Sequence, residues 1–144
     1  MRLDHLVRTL IDDRYPILLA AIITIAASLL QADIGINISD GGFLWYGTLR
    51  VLEGEIPLAD FRSYDPGRYY WSALWTWFLG EGLIDLRRAV SVIQFIGLSA
   101  GLLVVSRVIH NRLMLALFGL LMAAWMLPQY KYFESSLTML GVYV

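Results

Sequence analysis

The sequence predicts an all-α integral membrane protein, a polytopic helical bundle with interfacial, juxtamembrane helices in its first outer loop. Three observations predict it. Of 144 residues, 58% are hydrophobic, and mean hydropathy is +0.63. Soluble domains sit at about 45–50% apolar even when glycine is counted. Residues 15–32, 89–106 and 113–130 are uncharged runs. Each would make a helix of roughly 27 Å, close to the hydrocarbon thickness of a bilayer. Finally, eight carboxylates and five arginines are concentrated in residues 33–88, between the first two runs.

The first run starts at Tyr15-Pro16, and proline suits a first helical turn because its missing N–H would have no partner there. Arg2, Arg8 and Arg14 precede it, which is also how a signal peptide begins. Asp4, Asp12 and Asp13 interrupt that charge, and Leu30 is a poor residue at the −3 position of a cleavage site, so 15–32 reads as a retained span.

Residues 33–88 read as one outer loop carrying two surface helices, about 41–53 and 68–82. Ser39 or Asp40 supplies an N-cap for the first, and Gly54 a C-terminal stop. This helix is too polar to span and apolar enough to lie on a membrane. Pro57 and Asp65-Pro66-Gly67 break the chain after it. The second helix is uncharged and aromatic over 69–80. Trp and Tyr favour the headgroup level over the bilayer centre, so the Trp run at 71–77 reads as an interfacial belt rather than a sugar platform.

Two further spans follow, about 89–109 and 113–129, and 135–144 reads as the start of a fourth. The whole of 1–144 is then one N-terminal transmembrane region, which predicts a longer protein. Arg107 and Arg112 join the N-terminal arginines on the cytoplasmic side by the positive-inside rule. Two loops on one side are separated by an even number of spans, so 69–80 does not cross. The third span then carries Lys131 and Glu134 to the side of Asp40. If 69–84 did cross, Arg87 and Arg88 would instead be a cytoplasmic anchor.

Several chemistries are excluded. A net charge of −1 provides no basic field for nucleic acid. Without cysteine there is no disulfide and no thiolate chemistry. His5 and His110 are too far apart in sequence to suggest a metal cluster, and no glycine-rich phosphate loop is present. Ten of the eleven basic residues are arginine, the residue suited to bidentate contacts with phosphate or carboxylate.

The span, the short link, Asp40-Gly41-Gly42-Phe43 opening an aromatic helix, "GEIPLADF" at 54–61 and "YDPGRYYWSA" at 64–73 together resemble the start of GT-C type glycosyltransferases. These are polytopic enzymes that use polyprenyl-phosphate sugars, related to protein O-mannosyltransferases and aminoarabinose transferases. The resemblance runs from about residue 14 to 134. It implies transfer of a sugar, with inversion, from a polyprenyl-phosphate donor to an envelope acceptor at the outer face of a bacterial-type cytoplasmic membrane.

By that resemblance Asp40 is the catalytic carboxylate and Glu134 a second acid. Gly41 and Gly42 stand where members often carry a further acid, so no acidic-pair metal site is indicated and no cofactor is evident. Arg50, Arg68, Arg87, Arg88 and Lys131 are candidate phosphate contacts, and Asp60 and Asp65 candidate substrate contacts. The chemistry is coherent, because a base must take the acceptor's proton while cations stabilise the departing phosphate. The expected partners are the donor lipid and membrane lipid; the oligomeric state is not specified.

Each candidate also has a plainer reading. Asp40 would cap a helix. Asp65 would serve a turn, and Asp60 would fix its loop or pair with Arg62. Lys131 and Glu134 would form an i,i+3 pair, and His110 would be a solvated loop residue. The rival for the whole chain is a non-catalytic membrane protein, either an assembly subunit or a transporter fragment. The uncharged spans weigh against transport, because transporters place ionisable groups near the midplane.

Overall fold

Among the described residues, two helices are long and apolar enough to cross a membrane, within Arg14–Gln31 and over Leu83–Ser106. They belong to an all-helical computed structural model. It describes the backbone of residues 2–31, 39–126 and 132–144, and the side chains of 14–31, 39–125 and 134–144. The helices are α1 (Arg2–Gln31), α2 (Gly41–Leu52), α3 (Gly67–Leu79), α4 (Leu83–Ser106), α5 (Arg112–Met126) and α6 (Tyr132–Tyr143). Among the described residues there is no strand, only an isolated bridge between Pro57 and Phe61.

Three boundaries differ from the sequence expectation. α1 begins at Arg2, so Pro16 lies inside the helix and not in its first turn; there it leaves one carbonyl of the preceding turn without its usual N–H partner. α4 begins at Leu83, which brings Asp85, Arg87 and Arg88 into its opening turns. The apolar part of α5, Arg112–Trp125, is shorter than a full span. The far end of the expected third span lies outside the described residues.

The chain divides into two compact units, one of residues 1–27 and 93–144 and the other of 28–92. In the first, Ala20, Ile23, Leu98, Leu102, Leu115, Ala123 and Met139 form the core. Gly97 and Gly101 let α6 approach α4 closely. A Cβ on Gly97 would stand 2.6 Å from Ser136 Cα, and one on Gly101 3.0 Å from the Met139 sulfur. Further along, the Arg107 guanidinium lies 5.6 Å from the centre of the Tyr143 ring. Residue numbers rise together along both helices, so α6 runs parallel to this half of α4. Asn111 caps α5, its Oδ1 accepting from the N–H groups of Leu113 (2.9 Å) and Met114 (3.1 Å).

The second unit is organised by α2 packing on α3. α2 ends in a Schellman motif: Gly54 adopts φ +91°, its N–H bonds to the Val51 carbonyl, and the Glu55 N–H reaches the Arg50 carbonyl, both at 3.0 Å. The loop that follows folds on itself. Asp60 N–H donates to the Ile56 carbonyl at 2.9 Å, and Leu58 N–H to the Phe61 carbonyl at 3.1 Å. Phe61 turns inward and meets the rings of Tyr46 and Tyr69 edge-on, with centroids 6.2 and 5.7 Å away. Tyr69 is fully buried, and its ring occupies the space a side chain on Gly47 would need.

Candidate functional site

Seven of the expected site residues, Asp40, Arg50, Asp60, Asp65, Arg68, Arg87 and Arg88, fall in the 28–92 unit. Glu134 belongs to the other unit, and Lys131 lies outside the described residues.

Asp40 is the residue before α2, and its carbonyl accepts the Leu44 N–H at 3.0 Å, opening the helix. Its carboxylate makes no capping bond to the α2 N–H groups. The plain capping role expected for this side chain is therefore not what the structure shows. The half-buried carboxylate sits where the first-turn N–H dipoles favour negative charge.

The other two candidate carboxylates of this unit, Asp60 and Asp65, have local work. Asp60 Oδ2 accepts the Ile56 N–H at 2.8 Å and so fixes its own loop. Asp65, at φ +49°, accepts from Arg68 Nη2 at 2.9 Å. Aspartate tolerates this left-handed turn conformation better than most residues.

The cations divide in the same way. Arg50 pairs with Glu55 across the Schellman motif and lies 5.6 Å from the centre of the Tyr46 ring. Arg68 is 7% exposed, paired with Asp65, and stacked 4.4 Å from the Tyr64 ring centre. A buried guanidinium needs such a carboxylate and such a ring face. Arg88 pairs with Asp85 at 2.9 Å. Arg87 does something different: its Nη1 donates to the Gln31 carbonyl at 3.0 Å, at the C-terminal end of α1. A cation there meets the negative end of the helix dipole.

Glu134 is exposed, in the first turn of α6, and its carbonyl accepts the Thr138 hydroxyl at 2.7 Å. The packing of Ser136 on Gly97 sets Glu134 about level with the α4 turn before Gly97.

The sequence reading missed an aromatic enclosure around Arg68 and Tyr69. Phe43 stacks on Tyr64 at 5.7 Å and meets Tyr69 edge-on at 6.3 Å. Burial raises the Tyr69 pKa above 10.0, while the Arg68 charge and the Tyr64 backbone oppose that shift. Among the described residues Tyr69 Oη makes no hydrogen bond of ordinary geometry. The available signal was the recurrence of aromatics at 43, 46, 61, 64 and 69, which falls across three segments and has no single period.

Two indoles close the unit, Trp45 Nε1 donating to the Glu81 carbonyl and Trp71 Nε1 to the Ala89 carbonyl, both at 3.0 Å. Among the described residues no three His, Asp or Glu side chains gather as a metal site would require. Searches against protein-family models, curated proteins and solved structures give no match.

Proposed function

We propose that the chain takes part in glycosyl transfer from a polyprenyl-phosphate sugar to an envelope acceptor, with Asp40 as the general base. The reading is supported by the resemblance of residues 14–134 to GT-C enzymes and, in the structure, by one observation. Asp40 opens α2 in the same unit as Arg87, whose guanidinium lies at the end of the long apolar helix that precedes Asp40.

In this mechanism the Asp40 carboxylate takes the proton of the acceptor hydroxyl. The acceptor oxygen attacks the anomeric carbon as the bond from that carbon to the phosphate oxygen breaks. The electron pair leaves on the phosphate, where Arg87 stabilises the charge. Arg50, Arg68, Arg88, Asp60 and Asp65 then hold the unit's shape. The resemblance alone would make Glu134 a second acid. The N-terminus is cytoplasmic, and α2 and α3 lie at the outer face of a cytoplasmic membrane.

The test is transfer of labelled sugar from polyprenyl-phosphate donors by membranes containing the protein. Asp40→Asn lowers the rate by about 10²–10⁴-fold, and full activity in that variant removes the assignment. One observation favours the rival assembly subunit: Arg50, Arg68 and Arg88 are each engaged by a neighbouring carboxylate, as in a unit built only for shape. On that reading no donor is consumed by either form.

A further inference from the structure

α3 exposes an apolar stripe that a helix in water would bury. Its buried residues are Arg68, Tyr69, Ser72, Ala73 and Thr76. Tyr70, Leu74, Trp77 and Phe78 are instead exposed, at 48, 52, 71 and 66%. These four follow one another at i, i+4, i+7 and i+8, a single stripe of an α-helix. The hydrophobic effect in water would turn that stripe inward and leave Ser72 and Thr76 outside.

Arg68 pairs locally with Asp65 at the start of the helix, and the inner-face hydroxyls do not account for the sidedness. Thr76 Oγ1 donates within its own helix, to the Ser72 carbonyl at 2.8 Å, and Ser72 Oγ makes no hydrogen bond among the described residues. The sidedness is therefore explained from outside, by an apolar medium against the stripe.

The stripe's composition identifies that medium. It has no charge, and Trp77 and Tyr70 combine an apolar body with a polar tip, the combination favoured at the bilayer interface. Thirteen residues make a helix of roughly 20 Å, too short to cross a bilayer but suited to lying along it. Only Gly80, Glu81 and Gly82 separate α3 from α4, a helix long and apolar enough to span.

We propose that the Tyr70–Leu74–Trp77–Phe78 stripe is a lipid-contact surface, seated at the boundary between headgroups and acyl chains of the bilayer that α1 and α4 enter. The proposal rests on the membrane insertion of those helices and not on glycosyl transfer. It also revises the aromatic belt. Trp71 faces inward with its indole bonded to Ala89, beside Trp75 at 5.9 Å between centroids, so the belt is not the tryptophan run as a whole.

The chain has no cysteine, so one introduced thiol reports one position. The full chain is reconstituted in phosphatidylcholine vesicles with a nitroxide on Leu74→Cys or Trp77→Cys. Arg62→Cys, in an exposed loop, is the water reference, and Ile22→Cys, on an exposed apolar part of α1, is the lipid reference. Relaxation by oxygen is compared with relaxation by a water-soluble nickel chelate.

The expected oxygen-to-nickel ratio at 74 and 77 is several-fold above that at 62 and below that at 22. A ratio at 74 and 77 equal to that at 62, with 22 still in lipid, overturns the proposal and leaves membrane insertion standing. Shielding from both reagents with spin–spin broadening also overturns it, because a second copy then covers the stripe. A water-like ratio at all four positions overturns it together with insertion. Tyr70→Cys reads the same stripe if Trp77→Cys does not fold.

Discussion

Gly47 has no side chain because the Tyr69 ring fills that place, with Phe61 only 3.2 Å from where a Cβ would stand. Gly47→Ala forces the ring or α2 to move, and an overpacked site of this kind costs about 1–3 kcal/mol. A thermal melt of the purified chain should show that loss, while Gly67→Ala, where a Cβ meets nothing within 4 Å, gives a smaller one. Tyr69 itself carries a pH dependence. Its folded pKa lies above the unfolded 10.0. Below about pH 10 the phenol is neutral in both states and no stability is lost; as pH rises from there through the folded value, burial of the hydroxyl makes stability fall. Tyr69→Phe should therefore melt like the parent near neutrality and lose less stability than the parent in alkali, as read from melting curves taken across that range.

The Gly54 stop was the most legible signal, because it depends on a few adjacent residues, whereas the second surface helix, expected to run to about 82, stops at Leu79 before Gly80. Gly54 is readable as a C-terminal stop, and it adopts the left-handed conformation that the Schellman bonds require. Gly54→Ala places a Cβ at φ +91° and should cost about 1 kcal/mol in chemical denaturation. The uncharged runs likewise mark the apolar parts of α1, α4 and α5. What the sequence hid was where charge is tolerated inside a helix. Arg87 and Arg88 look like loop residues until Gln31 and Asp85 appear as their partners. The Asp65–Arg68 and Asp85–Arg88 spacings are visible as i,i+3 pairs, but only the fold shows that the first secures a buried arginine and the second an exposed one. The aromatic run at 69–80 has the opposite difficulty. Its residues are so alike that composition cannot tell the inward Tyr69 from the outward Tyr70.

At the scale of the whole molecule, seven candidate residues share the 28–92 unit, and this concentration was legible as the charged stretch between two apolar runs. The contact of Arg87 with the Gln31 carbonyl was not, because it joins residues far apart in the chain. The other unit has a consequence for sidedness. Gly97 meets Ser136, Gly101 meets Met139 and Arg107 meets Tyr143, while α5 starts at Arg112 with its carbonyl bonded to the Tyr15 hydroxyl at 3.0 Å. α5 and α6 are thus the outward and homeward legs of one round trip along α4. Whichever compartment holds Arg107 also holds Tyr143, whatever the turning point does. An impermeant thiol reagent applied to sealed, oriented vesicles should treat His110→Cys and Tyr143→Cys alike, both reacting from the cytoplasmic side under the proposed topology. Opposite labelling of the two would mean that the α4–α6 pairing is not kept in the membrane.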